Sequence, residues 1–326
     1  MLCITSKNTD PYFNLAAEEY LFKEFSEDIF MLWQSEPAVI VGKHQNTLAE
    51  INYNYTKNNN IRVARRLSGG GAVYHDMGNL NFTFILNGKE GKLIDFYKYM
   101  EPVLKVLQGL SVNARFEGRN NIMINNRKIS GNAEHIYKQR VLHHGTLLFS
   151  TQLDKLNESL TVIPGRYRDK AVRSIRSVVT NIKEYLKHDI DILQFGNIVL
   201  KHVIKNSYNS MIYELNREDT DRINNLAEVK YSTWEWIYGY SPKYTLSGIY
   251  RTGKLEIKYR IFVETGIIKE MEVEGVNIDE RRLSELPGLF KDSAHKESDL
   301  IGKAVSISGL LSISRNEACE FISSMF

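Results

Sequence analysis

Arg65-Arg66-Leu67-Ser68-Gly69-Gly70-Gly71-Ala72-Val73-Tyr74-His75 sets two guanidinium groups, a hydroxyl and three glycines in succession. Residues without a Cβ let the backbone turn tightly and bring its N–H groups close to a ligand. Successive N–H groups in such a turn form a concave anion site, and arginine adds planar donors that match phosphate and carboxylate oxygens. Taken alone, the stretch is either that site or a flexible turn beside two surface arginines. Two nucleotide signatures are excluded. None of the Gly-Lys pairs, at Lys43, Lys89, Lys92, Lys254 and Lys303, is followed by Ser or Thr as a P-loop requires. A dinucleotide fingerprint needs Gly or Ala where Tyr74 stands, and a helix after it. A nucleotide bound here would lie on a sheet.

Two further stretches carry chemistry. Arg166 to Asn181 holds five cations, Arg166, Arg168, Lys170, Arg173 and Arg176, with Ser174 and Ser177, and follows neither a helical nor a strand period. It is either a solvated basic loop or a mobile loop that folds over an anion. Lys128, in Arg127-Lys128-Ile129-Ser130-Gly131-Asn132-Ala133, reads by itself as a strand-edge lysine.

The elements that must position these residues follow from periodicity. Asn60–Ala64 and Leu80–Leu86 alternate as strands on either side of the glycines. Asp10-Pro11 opens a helix whose Phe13, Ala16, Ala17, Tyr20 and Leu21 form one apolar face. Phe30–Trp33 and Ala38–Val41 read as buried strands; Gly42 beyond them either starts a loop or ends the strand beside a ligand. A second helix spans about Ile94 to Leu110, with Pro102 as a kink. Strands follow over Phe116–Ile124, 127–133 and Val141–Phe149, with Asn125-Asn126 as a hairpin turn. A short helix is expected near Leu153–Leu160, and helices at about Ile190–Lys205 and Asp219–Val229. Trp234-Glu235-Trp236 and Gly239–Pro242 mark a boundary, beyond which 255–261 and 267–273 form a small sheet with helices near Ile278–Leu286 and Asn316–Ser323. The fold class is therefore α+β, with a mixed, largely antiparallel sheet. The expected domains are 1–238, a linker at 239–246, and a C-terminal unit at 247–326.

Composition sets limits. Hydrophobic residues make up 43%, enough for a packed core. A net charge of +3 is too weak to argue for nucleic acid. Cys3 and Cys319 form neither a metal-spaced pair nor a disulfide framework, which fits a reducing cytoplasm. No signal peptide is evident at the N-terminus. No run approaches the roughly 20 apolar residues that span a bilayer.

Together these segments resemble the lipoate–protein ligase family over nearly the whole chain. Arg65–Asn81 is similar to the family's Arg-Arg-x-Ser-Gly-Gly-Gly-Ala-Val-x-His-Asp-x-Gly-Asn signature, and Lys128–Ala133 to its Lys-(Val/Ile)-Ser-Gly-x-Ala element. Gly42–Asn46, His143–Leu147 and Trp234–Pro242 agree in the family's order. The resemblance implies the biotin/lipoate ligase fold with a C-terminal accessory domain. It implies a two-step reaction: lipoate and Mg-ATP give lipoyl-AMP, and the lipoyl group passes to a lysine of an apo lipoyl domain. The acceptors it implies are 2-oxoacid dehydrogenase subunits and the glycine-cleavage H protein, with neither nucleic acid nor membrane as partner. Cofactors would be ATP and Mg²⁺. Arg66 and the backbone of Gly71, Ala72, Val73 and Tyr74 would bind the nucleotide, and Lys128 would reach both phosphate and acyl oxygen. Arg65, Ser68, Gly69, Gly70, His75 and Asn79, with Lys128, would meet lipoate. Lys170, Arg173, Ser174, Arg176 and Ser177 would belong to an adenylate-binding loop.

Gly118-Arg119-Asn120-Asn121 departs from the family's Gly-Arg-Asn-Asp. A carboxylate there would help hold Mg²⁺, which prefers anionic oxygens; Asn120 and Asn121 are the metal candidates with that charge missing. Two alternatives stay open: an acyltransferase of the same fold that uses preformed lipoyl-AMP or an octanoyl donor, and a non-catalytic RNA-binding protein using the basic loop and aromatics.

Overall fold

The computed structural model describes residues 1–88 and 95–326. Its strands are β1 (Leu2–Thr5), β2 (Ile29–Trp33), β3 (Ala38–Val41), β4 (Arg62–Arg65), β5 (Val73–His75), β6 (Asn79–Asn87), β7 (Arg115–Glu117), β8 (Asn121–Ile124), β9 (Arg127–Tyr137), β10 (Arg140–Leu148), β11 (Tyr167–Asp169), β12 (Met211–Ile212), β13 (Tyr244–Thr252), β14 (Leu255–Glu264) and β15 (Ile267–Val276). The α-helices are α1 (Pro11–Glu24), α2 (Tyr53–Asn58), α3 (Phe96–Gly109), α4 (Leu153–Leu160), α5 (Ile192–Asn206), α6 (Arg217–Leu226), α7 (Glu280–Phe290), α8 (Glu297–Ile301), α9 (Ala304–Leu311) and α10 (Arg315–Ser323). The chain divides into two compact units. Residues 1–43, 56–160 and 174–233 form the first; 44–55, 161–173 and 234–326 form the second.

The first unit is built on a sheet in the order β12-β1-β2-β6-β10-β9-β8-β7. β12, β1 and β2 pair in parallel, and the remaining neighbours are antiparallel. The class and the mixed, largely antiparallel pairing agree with the sequence reading. Phe30, Phe82 and Phe84 of this sheet share a core with Met100, Val103 and Leu107 of α3 and Phe195 and Val199 of α5. Ile94, where the second helix was expected to begin, lies outside the described residues. At the β8–β9 turn Asn125 and Asn126 have φ of 48° and 60°, the two left-handed positions that a two-residue hairpin demands.

Helix α1 starts as its sequence predicts. The Asp10 carboxylate accepts from the N–H groups of Tyr12 and Phe13 at 2.7 and 3.1 Å, satisfying donors that the first turn leaves open. Its burial is wider than one face, because Asn14, Leu15, Glu18, Glu19 and Phe22 are buried too. Charges are retained inside only where partners meet them. Glu19 accepts from Lys23 Nζ at 2.7 Å, Lys230 Nζ at 2.6 Å and Tyr231 Oη at 2.7 Å.

A second, smaller sheet in the same unit has the order β4-β3-β5, with β3 parallel to β4 and antiparallel to β5. The glycine stretch therefore does not run straight from one extended segment into Leu80–Leu86. It leaves β4 on one edge of this sheet and returns as β5 on the other, before the chain crosses to β6. Three residues of β5 are too few to show a period against the glycines before them.

The second unit has a sheet in the order β11-β13-β14-β15. Ile257, Tyr259, Ile261 and Val263 of β14 face inward onto Leu286, Phe290, Ile307 and Phe321 of the C-terminal helices. Two strands here escaped the sequence reading. β11 forms inside the basic segment. β13 has Gly248 at an inward position, and the Tyr259 ring fills that gap; a Cβ at Gly248 would lie 2.2 Å from Tyr259 Oη. Packing of this kind is shared between strands and leaves no mark on one strand's pattern. Among the described residues no helix is long and apolar enough to cross a membrane.

Candidate active site

The small sheet holds the glycine turn from behind. Arg65 is fully buried, and its Nη1 donates to the carbonyls of Gly42 and Lys43 at 3.1 and 2.9 Å. Arg66 is 6% exposed and folds back over the turn. Its Nε donates to Ser68 Oγ at 2.9 Å, its Nη1 to Ile40 O at 3.0 Å, and its Nη2 to Gly69 O at 2.6 Å and Gly71 O at 2.8 Å. With the carbonyls drawn inward, the turn is held open on its N–H side. Gly70 has φ +87°, which favours glycine. Gly42 packs against it so closely that a Cβ would sit 2.2 Å from Gly70 O. The residue after β3 thus abuts the turn. Ser174 of the basic segment reaches the same place: its Oγ accepts from Ala72 N at 2.8 Å, and its Cα would be 3.1 Å from a Cβ on Gly71. Burial pushes the Arg66 guanidinium down to about 10, opposed by the Glu18 charge, so it stays cationic at neutral pH.

Lys128 comes to this turn from β9. Burial and then the Arg66 charge push its amine below the usual lysine value. Strand β9 passes the turn at Ala133, whose Cβ is 4.0 Å from where a Cβ on Gly70 would lie, and the like charge of Arg66 adds to the effect of burial on Lys128. The Lys128 backbone is tied to the basic segment, with its N–H donating to Val178 O at 2.8 Å and its carbonyl accepting from Thr180 N at 3.1 Å. Residues 174–180 therefore run from the glycine turn to the lysine strand.

Behind the turn lies a buried polar chain. Ser68 Oγ and His144 Nε2 are 2.6 Å apart, and His144 Nδ1 is 3.0 Å from both oxygens of Glu18. Thr83 Oγ1 donates to Glu18 Oε1 at 2.6 Å, and Trp33 Nε1 donates to Thr83 Oγ1 at 3.1 Å. With the Glu18 carboxylate accepting from Nδ1–H of His144, Nε2 accepts from the Ser68 hydroxyl. His75 stands against Trp33 with ring centroids 5.4 Å apart. Both His75 ring nitrogens and Asn79 Oδ1 are buried, with no hydrogen-bond partner among the described residues.

The Lipoyl protein ligase A/B catalytic domain family matches residues 10–204. Lipoate--protein ligase 1 of Staphylococcus aureus is 40% identical over 84% of this chain and 84% of its own length. This chain belongs to the lipoate–protein ligase family. A lipoate-protein ligase A solved with ATP is 26% identical and covers 73% of this chain and 98% of its own, with a TM-score of 0.64. A bi-partite lipoate protein ligase from Thermoplasma acidophilum, studied with its E2 lipoyl domain, is 28% identical and covers 73% of this chain and 96% of its own, with a TM-score of 0.63.

Several residues of this ligase expected at the site are gathered in the first unit: Arg65, Arg66, Ser68, the glycines, Ala72, His75 and Lys128. Tyr74 is 1% exposed and Val73 is half-buried, both on β5 beside β3. Asn79 donates to Asn81 Oδ1 at 2.9 Å. Of the basic segment, Ser174 meets the turn, Arg176 donates to Leu160 O, and Ser177 is exposed. Lys170 and Arg173 belong to the second unit, where Arg173 pairs with Asp169 at 2.9 Å. Asn120 donates to Asn132 O at 2.7 Å and is a brace for its turn. Asn121 lies opposite Gly131 in the register. Among the described residues no three His, Cys, Asp or Glu side chains gather to hold a metal. The donors at Asn120 and Asn121 do not fit a protein-held Mg²⁺, which takes carboxylate oxygens. Glu18, Thr83 and Asn132 were not singled out from the sequence; a glutamate within the apolar run of α1 was the available signal.

The ligase should lose stability in acid in a way traceable to His75. Burial, and then the Arg66 charge, push His75 down to about 3. Unfolded, it would take a proton near pH 6.5. The unfolded chain then binds more protons between those values, so stability falls as pH drops from about 6.5 toward 3. His143, pushed down by burial, and Glu134, pushed up by burial to about 7, are 3.0 Å apart and act in opposite directions. His295, pushed down by burial to about 4, acts in the same direction as His75. We expect His75→Asn to lessen, without abolishing, the fall of thermal midpoint between pH 7 and 4, as followed by circular dichroism.

Proposed function

We propose that Lys128 and the glycine turn form one electrostatic site that serves both steps of lipoylation. A lipoate carboxylate oxygen attacks the α-phosphorus of ATP; the new P–O bond forms as pyrophosphate leaves. The acceptor lysine then attacks the carbonyl carbon of lipoyl-AMP; the amide forms, AMP departs, and the amine gives up a proton. Both substrates supply their own nucleophiles. The protein's task is to place positive charge and donors where oxygen charge accumulates. The turn's N–H groups and the Lys128 ammonium do this, while Arg66 holds the turn in shape. The observation that carries the reading is a convergence: Ser174 meets the glycine turn at Ala72, and the segment running on from it bonds the Lys128 backbone through Val178 and Thr180.

His75 and Asn79, with their unmet polar atoms, mark where lipoate enters, and Ser68 is held ready by His144 and Arg66. We place Mg²⁺ on the ATP phosphates rather than on Asn120 or Asn121. Ser174, Arg176 and Ser177 close over the adenylate, keeping water from the mixed anhydride; Lys170 and Arg173 are the outer part of that loop. Catalysis falls to the first compact unit and an accessory role to the second. The acceptors are apo lipoyl domains of 2-oxoacid dehydrogenase complexes and the glycine-cleavage H protein, in the cytoplasm.

The test combines purified protein, lipoate, Mg-ATP and an apo lipoyl domain, read by intact mass. One lipoyl addition per acceptor, dependent on ATP, supports the reading. Asn121 favours one rival, a transferase that takes only preformed lipoyl-AMP. Transfer from supplied lipoyl-AMP with none from ATP would select it.

A further inference from the structure

Gly131 lies inside β9, opposite Asn121 of β8. Its backbone is not in the left-handed region, so any residue could adopt it. A glycine inside a strand weakens it and leaves nothing to pack, and often marks a close approach. The approach here is by Lys128. A Cβ at Gly131 would lie 2.9 Å from both Cε and Nζ of that lysine.

Residues three apart in a regular strand point to opposite faces. The pairing explains why these two meet. Ile122 pairs with Ser130 and Met123 with Lys128, leaving Ile129 as an extra residue. Such a bulge absorbs one position and re-aims the side chains beside it. Lys128 and Gly131 thereby share a face, and the lysine lies across the bare backbone.

We propose that Gly131 is a positioning residue whose missing side chain forms the floor on which the Lys128 amine rests, fixing its distance from the glycine turn. The proposal rests on Lys128 as the group that acts on substrate. The obstructed atoms are the far end of a flexible chain, so an alanine displaces the amine and spares the strand. Activity and stability should then part company.

The experiment compares Gly131→Ala, Lys128→Ala and the double variant in full-length protein. Thermal midpoint, ATP–pyrophosphate exchange and transfer from lipoyl-AMP are measured. Gly131→Ala should melt at or above the wild-type temperature and lose roughly 10- to 100-fold in kcat, the scale for misplacing a group by about 1 Å. KM for ATP should change much less. The alkaline limb of its pH–rate profile should move to higher pH, because the amine leaves its buried place beside Arg66. In the Lys128→Ala background the substitution should add nothing further. Near-normal activity in Gly131→Ala, with Lys128→Ala impaired, removes the floor and leaves the lysine's role standing. Normal activity in Lys128→Ala removes both. A midpoint well below wild type means that the alanine met the strand, and the proposal falls.

Discussion

Lys128→Ala should lower lipoylation turnover by roughly 10²–10³, the usual scale for removing one preorganised charge contact from a transition state. The fold should survive. Among the described residues no side chain accepts from the Lys128 amine, and its backbone bonds to Val178 and Thr180 do not depend on the side chain. Its neighbour Arg66 repels it. Deleting the lysine charge removes that repulsion. Thermal midpoint should stay level or rise while pyrophosphate exchange and acyl transfer both collapse. Because the amine sits below the ordinary lysine value, wild-type activity should also fall as pH rises through that lowered value and the charge is lost. A variant with intact turnover would remove Lys128 from the chemistry.

Arg66 should behave in the opposite way, with function and stability failing together. Its four donor contacts hold Ser68 and the carbonyls of Ile40, Gly69 and Gly71. Arg66→Met leaves those acceptors without their donor and keeps a similar apolar stem. Each unsatisfied buried group costs about 1–3 kcal/mol, so a loss on the order of 3 kcal/mol is expected, seen as a lower denaturation midpoint in urea. ATP affinity should drop with it, because the turn would no longer be held open. Arg66→Lys separates charge from shape. A single ammonium cannot span three carbonyls and a hydroxyl as the planar fork does. Lysine should therefore recover little. Recovery of ATP binding by lysine would mean that Arg66 acts as a charge and that the clamp is incidental.

His143 and Gly145 lie in a stretch that matched the family's order, yet the contacts they make were not legible in it. They lie on β10, and a Cβ on Gly145 would fall 2.0 Å from Asn132 Oδ1 and 2.7 Å from the Phe82 ring. Asn132 is the register partner of Gly145, and its Oδ1 is 3.2 Å from His143 Nε2. None of these contacts is local, so no window of residues predicts them. The same holds for Glu18, whose partners Thr83 and His144 lie far along the chain. Helix α1 displayed its apolar face to a periodicity argument, but a helix buried on nearly all sides has no polar face by which to judge the rest.

What the sequence alone determined was local and compositional. The glycine turn, the cap at Asp10, the Asn125-Asn126 hairpin and the alternating strands are fixed by backbone freedom, orphaned donors and period, all written within a few adjacent residues. The order of motifs also sufficed to expect the family to which the chain belongs. Only the tertiary structure decided that Arg66 faces inward to clamp the turn, that Ser68 leans on His144 and Glu18, and that a bulge at Ile129 lays Lys128 over Gly131. Those outcomes depend on strand register and on which distant groups share a low-dielectric interior, where a contact exists only after the chain has closed on itself.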